Sequence, residues 1–268
     1  MKIHSKIVAL GIICIASLAV TAKLPVFHSE TLVVGGTNAT KNEFPFLVRF
    51  TVLTASGESR FCSGTLIDLD LVLSSATCAV GNSRPITVVA GDHLLLEDEG
   101  TEQSVASQEV ILHEDFNTTG NLENDIALIR LTSKLENTTS VQVINLPPED
   151  LEPKYASHGT VAGWGETKFS EEEGQMSPIL LKTDVIIADR LVCAAIGGTW
   201  VPEGQICSVS TGGGYRGDLG GPLICSNAPD AVCGIISNSN SGALTTVVGG
   251  YVEVSQYLAW IDGYRNTA

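Results

Sequence analysis

Short apolar runs rich in Val, Ile and Leu recur along the chain, and Gly, Asn, Pro or charged residues separate them. This alternation of apolar runs and turn-forming residues is typical of β-strands. In the first half the runs cover Phe46–Leu53, Ser63–Ser74, Ile86–Ala90, Val105–Leu112 and Asp125–Leu131. In the second half they cover Gly159–Trp164, Ile179–Ile187, Gln205–Ser208, Pro222–Cys225, Val232–Ser237 and Thr245–Val254. We therefore predict a protein that is mostly β-sheet.

A polar segment, Pro147–Lys154, divides the two sets of runs. Its three prolines and four charged residues suit a connector better than a strand. Helix signals are few. Asp189 is a candidate N-cap for a short helix through Ala195, and Ser255 for a terminal helix that turns Ile261 inward. Many short strands in a chain of this length fit either two β-barrels or a pair of β-sandwiches.

Residues 1–22 predict a secretory signal peptide. Lys2 and Lys6 precede the apolar run Ile7–Val20, and the small residues that end at Ala22 form a candidate cleavage site. The apolar run is shorter than the roughly 20 residues that a membrane-spanning helix needs. We therefore expect cleavage after Ala22 and export of a mature chain that does not bind membranes.

The cysteine content supports export. Cys14 lies within the predicted signal peptide, so six of the seven cysteines remain in the mature chain. An even number of cysteines in an exported protein favours three disulfides, although their pairing stays open on this evidence.

The charge balance is acidic, with 15 basic and 30 acidic side chains. Loss of Lys2 and Lys6 with the signal peptide shifts the formal net charge from −15 to −17. Such a charge argues against binding to nucleic acid or to an anionic membrane. It fits a cationic partner, and it equally fits solubility in an extracellular fluid. The densest acidic runs are Glu97–Glu102 and Glu171–Glu173.

Three Asn-X-Thr sequons begin at Asn38, Asn117 and Asn137. In an exported eukaryotic protein they predict glycosylated surface loops, although so short a motif also arises by chance in Thr-rich loops. We expect a glycan on at least one of the three asparagines.

Six short motifs follow one another in a specific order. They are Val33–Gly36, the pair Ser63–Ile67 and Val72–Cys78, Asn124–Ile129, Gly163–Gly165, Gly217–Pro222, and Tyr257–Ile261. One such motif is weak evidence, whereas six in order are specific. Together they resemble the trypsin/chymotrypsin-like serine proteases from Val33 to about Ile261, which is nearly the whole mature chain.

This resemblance implies an all-β fold of two six-stranded antiparallel β-barrels with a C-terminal helix. It implies a short pro-like segment at residues 23–32 and a protease-like domain at residues 33–268. The first barrel is expected at about 33–146 and the second at about 155–268. The family usually has Arg or Lys before the activation cleavage, whereas Leu32 precedes Val33 here. We therefore predict that cleavage before Val33 is not needed for function.

The resemblance also assigns the three positions of a Ser-His-Asp triad. The histidine position, just before Cys78, holds Thr77; the aspartate position holds Asp125; the serine position holds Leu219. A threonine hydroxyl is not a base near neutral pH, and a leucine side chain has no nucleophilic atom. In a related triad, loss of Ser or His alone lowers turnover by about 10⁶-fold. We predict a protein that is not a protease, with only weak catalysis left to the backbone N–H groups of Gly217 and Leu219.

The substrate pocket of the family is altered as well. Its floor position holds Gly213, so no carboxylate awaits an Arg or Lys of a substrate. The cleft-lining segment is Ser237–Ser239 and lacks the tryptophan of the family, and Val248–Tyr251 stands where the family has Pro-Gly-Val-Tyr. We therefore do not expect peptides to bind here as they do in the family.

A replacement catalytic pair would need a base and a nucleophile elsewhere. The candidate bases are His113 and His158, and the candidate nucleophiles are Ser210 and Ser237. Neither histidine lies at a position that the family uses for catalysis. We therefore expect surface or strand-end histidines and hydrogen-bonded serines instead of a rescued active site.

The family pattern also suggests how the cysteines pair. It implies the bridges Cys62–Cys78 and Cys193–Cys207, whereas the usual partner of Cys225 would lie at Gly159. Cys225 and Cys233 remain, and we predict a third bridge between them across a short loop.

More narrowly, the chain resembles the glucanase inhibitor proteins that oomycete plant pathogens secrete, which are trypsin-like homologues with broken triads. The resemblance implies a monomeric virulence effector of the host apoplast, without cofactor or metal, that inhibits a host plant endo-β-1,3-glucanase. The alternatives are a binding or adhesion protein with another extracellular partner, a residual serine-type hydrolase, and a relic without a partner. Candidate contact loops are Thr54–Arg60, Glu97–Gln103, Lys168–Met176 and Asn238–Ala243.

Overall fold

The computed structural model describes residues 36–116, 122–166, 176–197, 201, 204–211, 217–241 and 247–265. Several predicted features lie outside these residues: the signal peptide with its cleavage site after Ala22, the 23–32 segment, the Leu32–Val33 bond, Asn117, Glu171–Glu173 and Gly213. Within the described ranges, no helix is long and apolar enough to cross a membrane.

A short strand, β1 (Thr37–Asn38), precedes the first barrel. The strands of that barrel are β2 (Leu47–Leu53), β3 (Ser59–Asp68), β4 (Leu71–Ser74), β5 (Thr87–Ala90), β6 (Gln103–Leu112) and β7 (Ala127–Leu131). All neighbours are antiparallel, and the order β2-β3-β4-β7-β6-β5 closes where β5 pairs with β2. The apolar run Ser63–Ser74 therefore contributes to two strands, because a turn at Leu69 and Asp70 divides it.

The strands of the second barrel are β8 (His158–Gly163), β9 (Leu181–Ala188), β10 (Gln205–Ser210), β11 (Pro222–Cys225), β12 (Val232–Ser241) and β13 (Val247–Glu253). Their order is β9-β10-β13-β12-β11-β8, and the antiparallel pairing of β8 with β9 closes the barrel. Strand β1 pairs with β9, where Asn38 lies opposite Leu181. The predicted pair of six-stranded antiparallel barrels is confirmed.

Three α-helices lie in the described ranges: α1 (Ala76–Ala79), α2 (Arg190–Gly197) and α3 (Leu258–Arg265). Asp189 caps α2 as predicted, since its carboxylate accepts the N–H of Leu191 at 2.8 Å. Ser255 does not cap α3. It lies within a 3₁₀ turn, Val254–Tyr257, that leads into the helix, and its hydroxyl donates to Glu253.

One apolar cluster joins residues from both halves of the chain. It includes Ile67, Leu128 and Ile144 from the first half, and Ile235 and Ile261 from the second. Full burial of one such side chain stabilises a fold by about 1.5–3 kcal/mol. Ile261 of α3 is fully buried in this cluster, so the terminal helix helps to hold the two halves together.

The structure contains three disulfides, and they join the same pairs that the sequence comparison suggested. The Cα–Cα distances are 6.1 Å for Cys62–Cys78, 6.5 Å for Cys193–Cys207 and 5.9 Å for Cys225–Cys233. In the sheet, Gly159 of β8 lies opposite Cys225 of β11, at the place of the missing family cysteine. Three disulfides fit an extracellular protein.

Candidate functional site

Asp125 lies at the junction of the two barrels, just before β7, and is fully buried. Its Oδ1 accepts the backbone N–H of Thr77 at 2.6 Å, and its Oδ2 accepts the hydroxyl of Ser237 at 2.6 Å. The carboxylate is thus held from both sides, by α1 of the first barrel and β12 of the second.

Burial raises the pKa of Asp125 above its ordinary value. The hydrogen bonds from the Ser237 hydroxyl and the Thr77 backbone oppose this rise but do not cancel it. The nearby Thr77 side chain also lowers this pKa, although its hydroxyl makes no hydrogen bond of normal geometry. The site therefore holds a carboxyl group that is costly to ionise.

We expect Asp125→Asn to gain stability relative to the native protein as pH rises. Asparagine keeps an acceptor for the Thr77 N–H without a buried charge. Between the unfolded-state pKa, near 3.8, and the higher folded-state pKa, the native state binds more protons than the unfolded state. Its stability therefore falls as pH rises through this window. Urea unfolding of both proteins across the window tests this, and parallel stability curves would contradict it.

Thr77 belongs to α1, a single turn that the sequence reading did not predict. Ser75 caps the turn by accepting the N–H of Cys78 at 3.3 Å. Arg60 fixes the other face, because its guanidinium donates to the carbonyl oxygen of Thr77 at 2.6 Å. The backbone that presents residue 77 to Asp125 is therefore well held, although the side chain it carries is a threonine.

Leu219 lies in a loop that is bonded to both barrels. Its carbonyl oxygen accepts the N–H of Ser63 at 2.9 Å, and the Ser63 hydroxyl donates to the Gly217 carbonyl at 3.1 Å. On the other side, the N–H of Gly220 donates to the Ile236 carbonyl at 2.8 Å. The half-buried Leu219 side chain packs against the apolar cores of both barrels. It therefore acts as an apolar contact between them.

The carboxylate of Asp218, next to Leu219, is turned inward and is only 2% exposed. Its Oδ1 accepts the N–H of Gly165 at 2.7 Å. A Cβ atom at Gly163 would come within 1.9 Å of the same oxygen. The Gly-Trp-Gly motif is therefore explained by close approach of the Asp218 side chain to the backbone.

The backbone N–H groups of Gly217 and Leu219 make no hydrogen bond to other described residues. Gly217 has a φ of 96°, which glycine tolerates and other residues rarely adopt. Two such donors, separated by one residue and without a partner among the described residues, form a small anion-binding or carbonyl-binding feature.

Among the described residues, the candidate replacement residues are not hydrogen-bonded to one another. The Ser237 hydroxyl is committed to Asp125, and the residue is 1% exposed. His113 packs against Tyr257 and Trp260, with ring centroids 5.5 Å and 5.2 Å away. His158 is exposed at the start of β8. Within the described residues, neither histidine is hydrogen-bonded to Ser237 or to the other candidate, Ser210.

Two cavities on the second-barrel side lie away from the triad positions. One, of about 280 Å³, has a wall that includes Tyr155, Arg190 and Glu253. The other, of about 310 Å³, is lined by residues that include Thr37 and Lys182. Neither wall contains Thr77, Asp125 or Leu219.

The acidic run Glu97–Glu102 divides into two parts. Glu97 and Asp98 are exposed, whereas Glu99 and Glu102 are half-buried and accept backbone N–H groups of their own loop. The exposed pair is therefore the more accessible to a basic partner, although Asp98 Oδ1 also accepts the N–H of Gly100 at 2.9 Å. One carboxylate oxygen each from Asp92, Glu99 and Glu102 lie within 4.8 Å of one another, so these three side chains are the group of described residues able to hold a metal ion.

The two sequons within the described ranges are accessible to modification. Asn38 on β1 and Asn137 after β7 are both exposed. A hydrogen bond of 2.9 Å between Ser140 and Asn42 ties their two loops together. Glycans at both positions would therefore start from one side of the molecule.

Two closed antiparallel barrels, with Asp125 and the Gly217–Pro222 loop at their junction, define a chymotrypsin-like double-barrel protein. The Trypsin family model matches residues 33–261, and the chain belongs to this family. Chymotrypsin-like elastase family member 1 of Canis lupus familiaris is 33% identical over 246 residues, 88% of this chain and 93% of the relative. Duodenase-1 of Bos taurus is 33% identical over 232 residues, which cover 85% of this chain and 87% of the relative.

The fold comparison agrees with the family assignment. The chain matches a solved structure titled "Structure of GrC" with a TM-score of 0.75 and 27% identity. The match covers 86% of this chain and 98% of that chain. The predicted resemblance to trypsin/chymotrypsin-like proteins is thus confirmed at the level of the family.

Proposed function

We propose that this protein is a secreted member of the trypsin family that is not a protease and acts by binding another protein. One observation carries the proposal: Asp125 is hydrogen-bonded by the backbone of Thr77, where a catalytic base is expected, and the loop at its side carries Leu219. Neither side chain can activate or perform nucleophilic attack. The site keeps its supporting hydrogen bonds while it lacks the reacting groups.

Retention of the supporting structure favours a role in recognition over loss of function. Arg60, Ser75 and Ser237 still hold the backbone and the carboxylate around the site. A pair of closed barrels that also carries three disulfides is a rigid support for exposed loops, and loops on rigid supports commonly carry binding functions. The exposed residues at the tip of the β2–β3 hairpin, within Thr54–Arg60, are one such surface.

For the partner we propose a plant endo-β-1,3-glucanase, met in the host apoplast and inhibited to suppress host defence. This narrower proposal rests on the resemblance to oomycete glucanase inhibitor proteins. The acidic charge of the chain fits a partner with a cationic surface. The same charge is the reason that we expect no binding to nucleic acid or to membranes. We propose a monomer that uses neither cofactor nor metal.

Inhibition of laminarin hydrolysis by a purified plant endo-β-1,3-glucanase tests this proposal. We expect inhibition at micromolar or lower protein concentration, which weakens as salt rises because charge complementarity contributes to association. Reduced and alkylated protein serves as the negative control, and an endo-β-1,4-glucanase tests specificity. Absence of binding at micromolar concentration would remove the glucanase proposal.

Two charge-neutralising double variants test whether the acidic loop Glu97–Glu102 contributes to the association rate with the glucanase. The double variant Glu97→Gln/Asp98→Asn removes two exposed carboxylates from a candidate contact loop. Glu149→Gln/Asp150→Asn removes two exposed carboxylates from the connector and is the matched control. We expect the first to lower the association rate and the second to leave it unchanged. Equal effects would show that only overall charge matters.

Two other functions have different experimental outcomes. A binding or adhesion protein with another extracellular partner would retain a specific protein from apoplastic fluid without affecting the glucanase. A residual serine-type hydrolase would turn over a peptide or ester panel, and substitution of a single residue would abolish that turnover. The N–H groups of Gly217 and Leu219, which have no hydrogen-bond partner among the described residues, are the feature that keeps the hydrolase in consideration.

A further inference from the structure

The cavity of about 280 Å³ lies beside the end of the β9–β10 ladder, in the second barrel. This ladder ends at the pair Ala188–Cys207, where the chain leaves β9 for α2, whereas β10 already begins at Gln205. The connector before β8 and the 3₁₀ turn before α3 complete the wall. Ligand-binding cavities commonly have volumes of about 300–1,000 Å³, so this one lies close to the lower end of the range.

Arg190, the first residue of α2, lines the cavity with a half-buried side chain. Its guanidinium makes no ion pair and no hydrogen bond with any other described residue. Other cations of the chain are paired with carboxylates, among them Lys41, Arg49, Lys182 and Arg265. A guanidinium carries five N–H donors in one plane. Those of Arg190 are therefore available to a ligand in the cavity.

Glu253, at the end of β13, contributes an acceptor to the same wall. Its Oε1 accepts the Ser255 hydroxyl at 3.0 Å and the Gln256 side-chain amide at 3.4 Å. Within the described ranges, no donor is bonded to its Oε2, and Glu253 forms no ion pair with Arg190 although both line the cavity. The wall thus offers a positioned acceptor and a separate group of donors.

The charges of the wall balance. Among the described residues that line the cavity, Arg190 is the only cation and Glu253 the only carboxylate. An anion or a cation would satisfy one of them and leave the other unpaired or repelled. A neutral ligand that both donates and accepts hydrogen bonds satisfies both. Sugar hydroxyls do so, because each one donates one hydrogen bond and also accepts.

An aromatic ring lies in the exposed part of the wall. Tyr155 lines the cavity and is 62% exposed. Its turn is held at two points, since the N–H of Ala156 donates to the Ile187 carbonyl at 2.8 Å and the N–H of Ser157 to the Lys154 carbonyl at 3.2 Å. Ala156 has a φ of 60°, a conformation that few residues other than glycine adopt and that is found at ligand sites. A rigid, exposed tyrosine ring is suited to stacking against the C–H face of a sugar.

We propose that this cavity binds a neutral saccharide. Tyr155 stacks against one sugar ring, Arg190 donates hydrogen bonds to hydroxyl oxygens, and Glu253 accepts a hydrogen bond from a hydroxyl. The chemistry is shared by β-glucan chains and by the glycans of glycoproteins, which are the two sources that the test separates. The site contains no residue of the degenerate triad and does not depend on the proposed glucanase partner.

Isothermal titration calorimetry of the full-length mature protein tests this site with three neutral trisaccharides. Laminaritriose and cellotriose represent β-glucans, and chitotriose represents the N-acetylglucosamine core of a glycan. Diglycine is the fourth probe, because a zwitterion would also balance Arg190 and Glu253. We expect the trisaccharide of at least one source to bind with a dissociation constant on the order of 10⁻⁴–10⁻³ M, since the cavity is small. We expect no binding of diglycine, which has no ring to stack on Tyr155.

Substitutions locate the bound sugar. Arg190→Met should weaken binding about tenfold or more, because hydrogen bonds from a charged donor are lost. Arg190→Lys should also weaken it, since an ammonium lacks the planar set of donors. Tyr155→Ala should weaken binding about 3- to 10-fold, whereas Tyr155→Phe keeps the ring and should bind like the native protein. Arg84→Met is the matched control, because it removes an exposed guanidinium that also makes no ion pair among the described residues.

Absence of binding by all three trisaccharides at about 10 mM would overturn the proposal. Binding that is unchanged in both Arg190→Met and Tyr155→Ala would overturn it as well, because the sugar would then bind elsewhere. Binding of diglycine alone would assign the cavity to another class of ligand. If Arg190→Met does not fold, Arg190→Lys and Tyr155→Ala decide in the same way. The measurement uses no glucanase, so a negative result would leave the proposed partner unaffected.

Discussion

Replacing Leu219 by serine is expected to leave the protein without measurable peptidase activity. The new hydroxyl would have no base, because Thr77 stands where the imidazole is expected and a hydroxyl does not accept a proton near neutral pH. Loss of the histidine alone costs a related triad about 10⁶-fold in turnover. Hydrolysis of a peptide and activated-ester panel by Leu219→Ser should therefore equal that of the native protein.

The double variant Leu219→Ser/Thr77→His is the informative companion. Asp125 is already held by the backbone at residue 77 and by Ser237, so a histidine at position 77 would meet a positioned carboxylate. We expect ester hydrolysis to rise above that of Leu219→Ser by about 10²–10⁴-fold, the usual contribution of general-base catalysis. Peptidase activity in Leu219→Ser alone would show that Thr77 does not occupy the position of the base.

Gly220→Ala is expected to prevent the protein from folding. Gly220 has a φ of 84°, and a Cβ atom there would lie 2.1 Å from Ser74 Oγ and 2.3 Å from the Ser63 carbonyl oxygen. Both neighbours belong to the first barrel, so relief would require the Leu219 loop to move away from it. We expect Gly220→Ala to lower the free energy of unfolding by more than about 4–5 kcal/mol. This is a large share of the 5–15 kcal/mol that stabilises a typical domain.

Gly57→Ala is the matched control. Gly57 has nearly the same backbone conformation as Gly220, but an alanine side chain there would not clash with any other atom. Gly57 has a φ of 85°, and no atom lies within 4 Å of its Cβ position. We expect it to cost only about 1–2 kcal/mol, the strain of a left-handed conformation for alanine. Circular dichroism and urea unfolding distinguish the two variants. Similar stabilities would mean that the Gly220 loop is not held against the first barrel as the structure has it.

Much of the fold could be predicted because local pattern and tertiary packing agree. Strand β11, Pro222–Cys225, has the predicted bounds, since turn residues flank a short apolar run on both sides. The start of α3 was misplaced because Ser255 has the chemistry of a cap but lies inside a 3₁₀ turn. A favourable residue type at one position does not determine the backbone conformation there.

The candidate site was predicted only in part because its contacts join distant parts of the chain. The hydrogen bond between Ser237 and Asp125 spans 112 positions, and the Arg49–Asp92 pair spans 43. No periodicity or short motif identifies such partners. Ser237 was therefore a candidate nucleophile from the sequence, whereas the structure places its hydroxyl on a buried carboxylate. The acidic run before β6 similarly contained two exposed carboxylates and two that organise the loop.

The central claim is that this trypsin-family protein has no serine nucleophile and acts by binding. Treatment of the native protein with a fluorophosphonate probe, followed by peptide mass spectrometry, tests it most directly, because the probe forms a stable adduct only with an activated nucleophile. We predict no adduct, under conditions in which trypsin is labelled completely. A stoichiometric adduct on any residue, Ser210 and Ser237 included, would contradict the account.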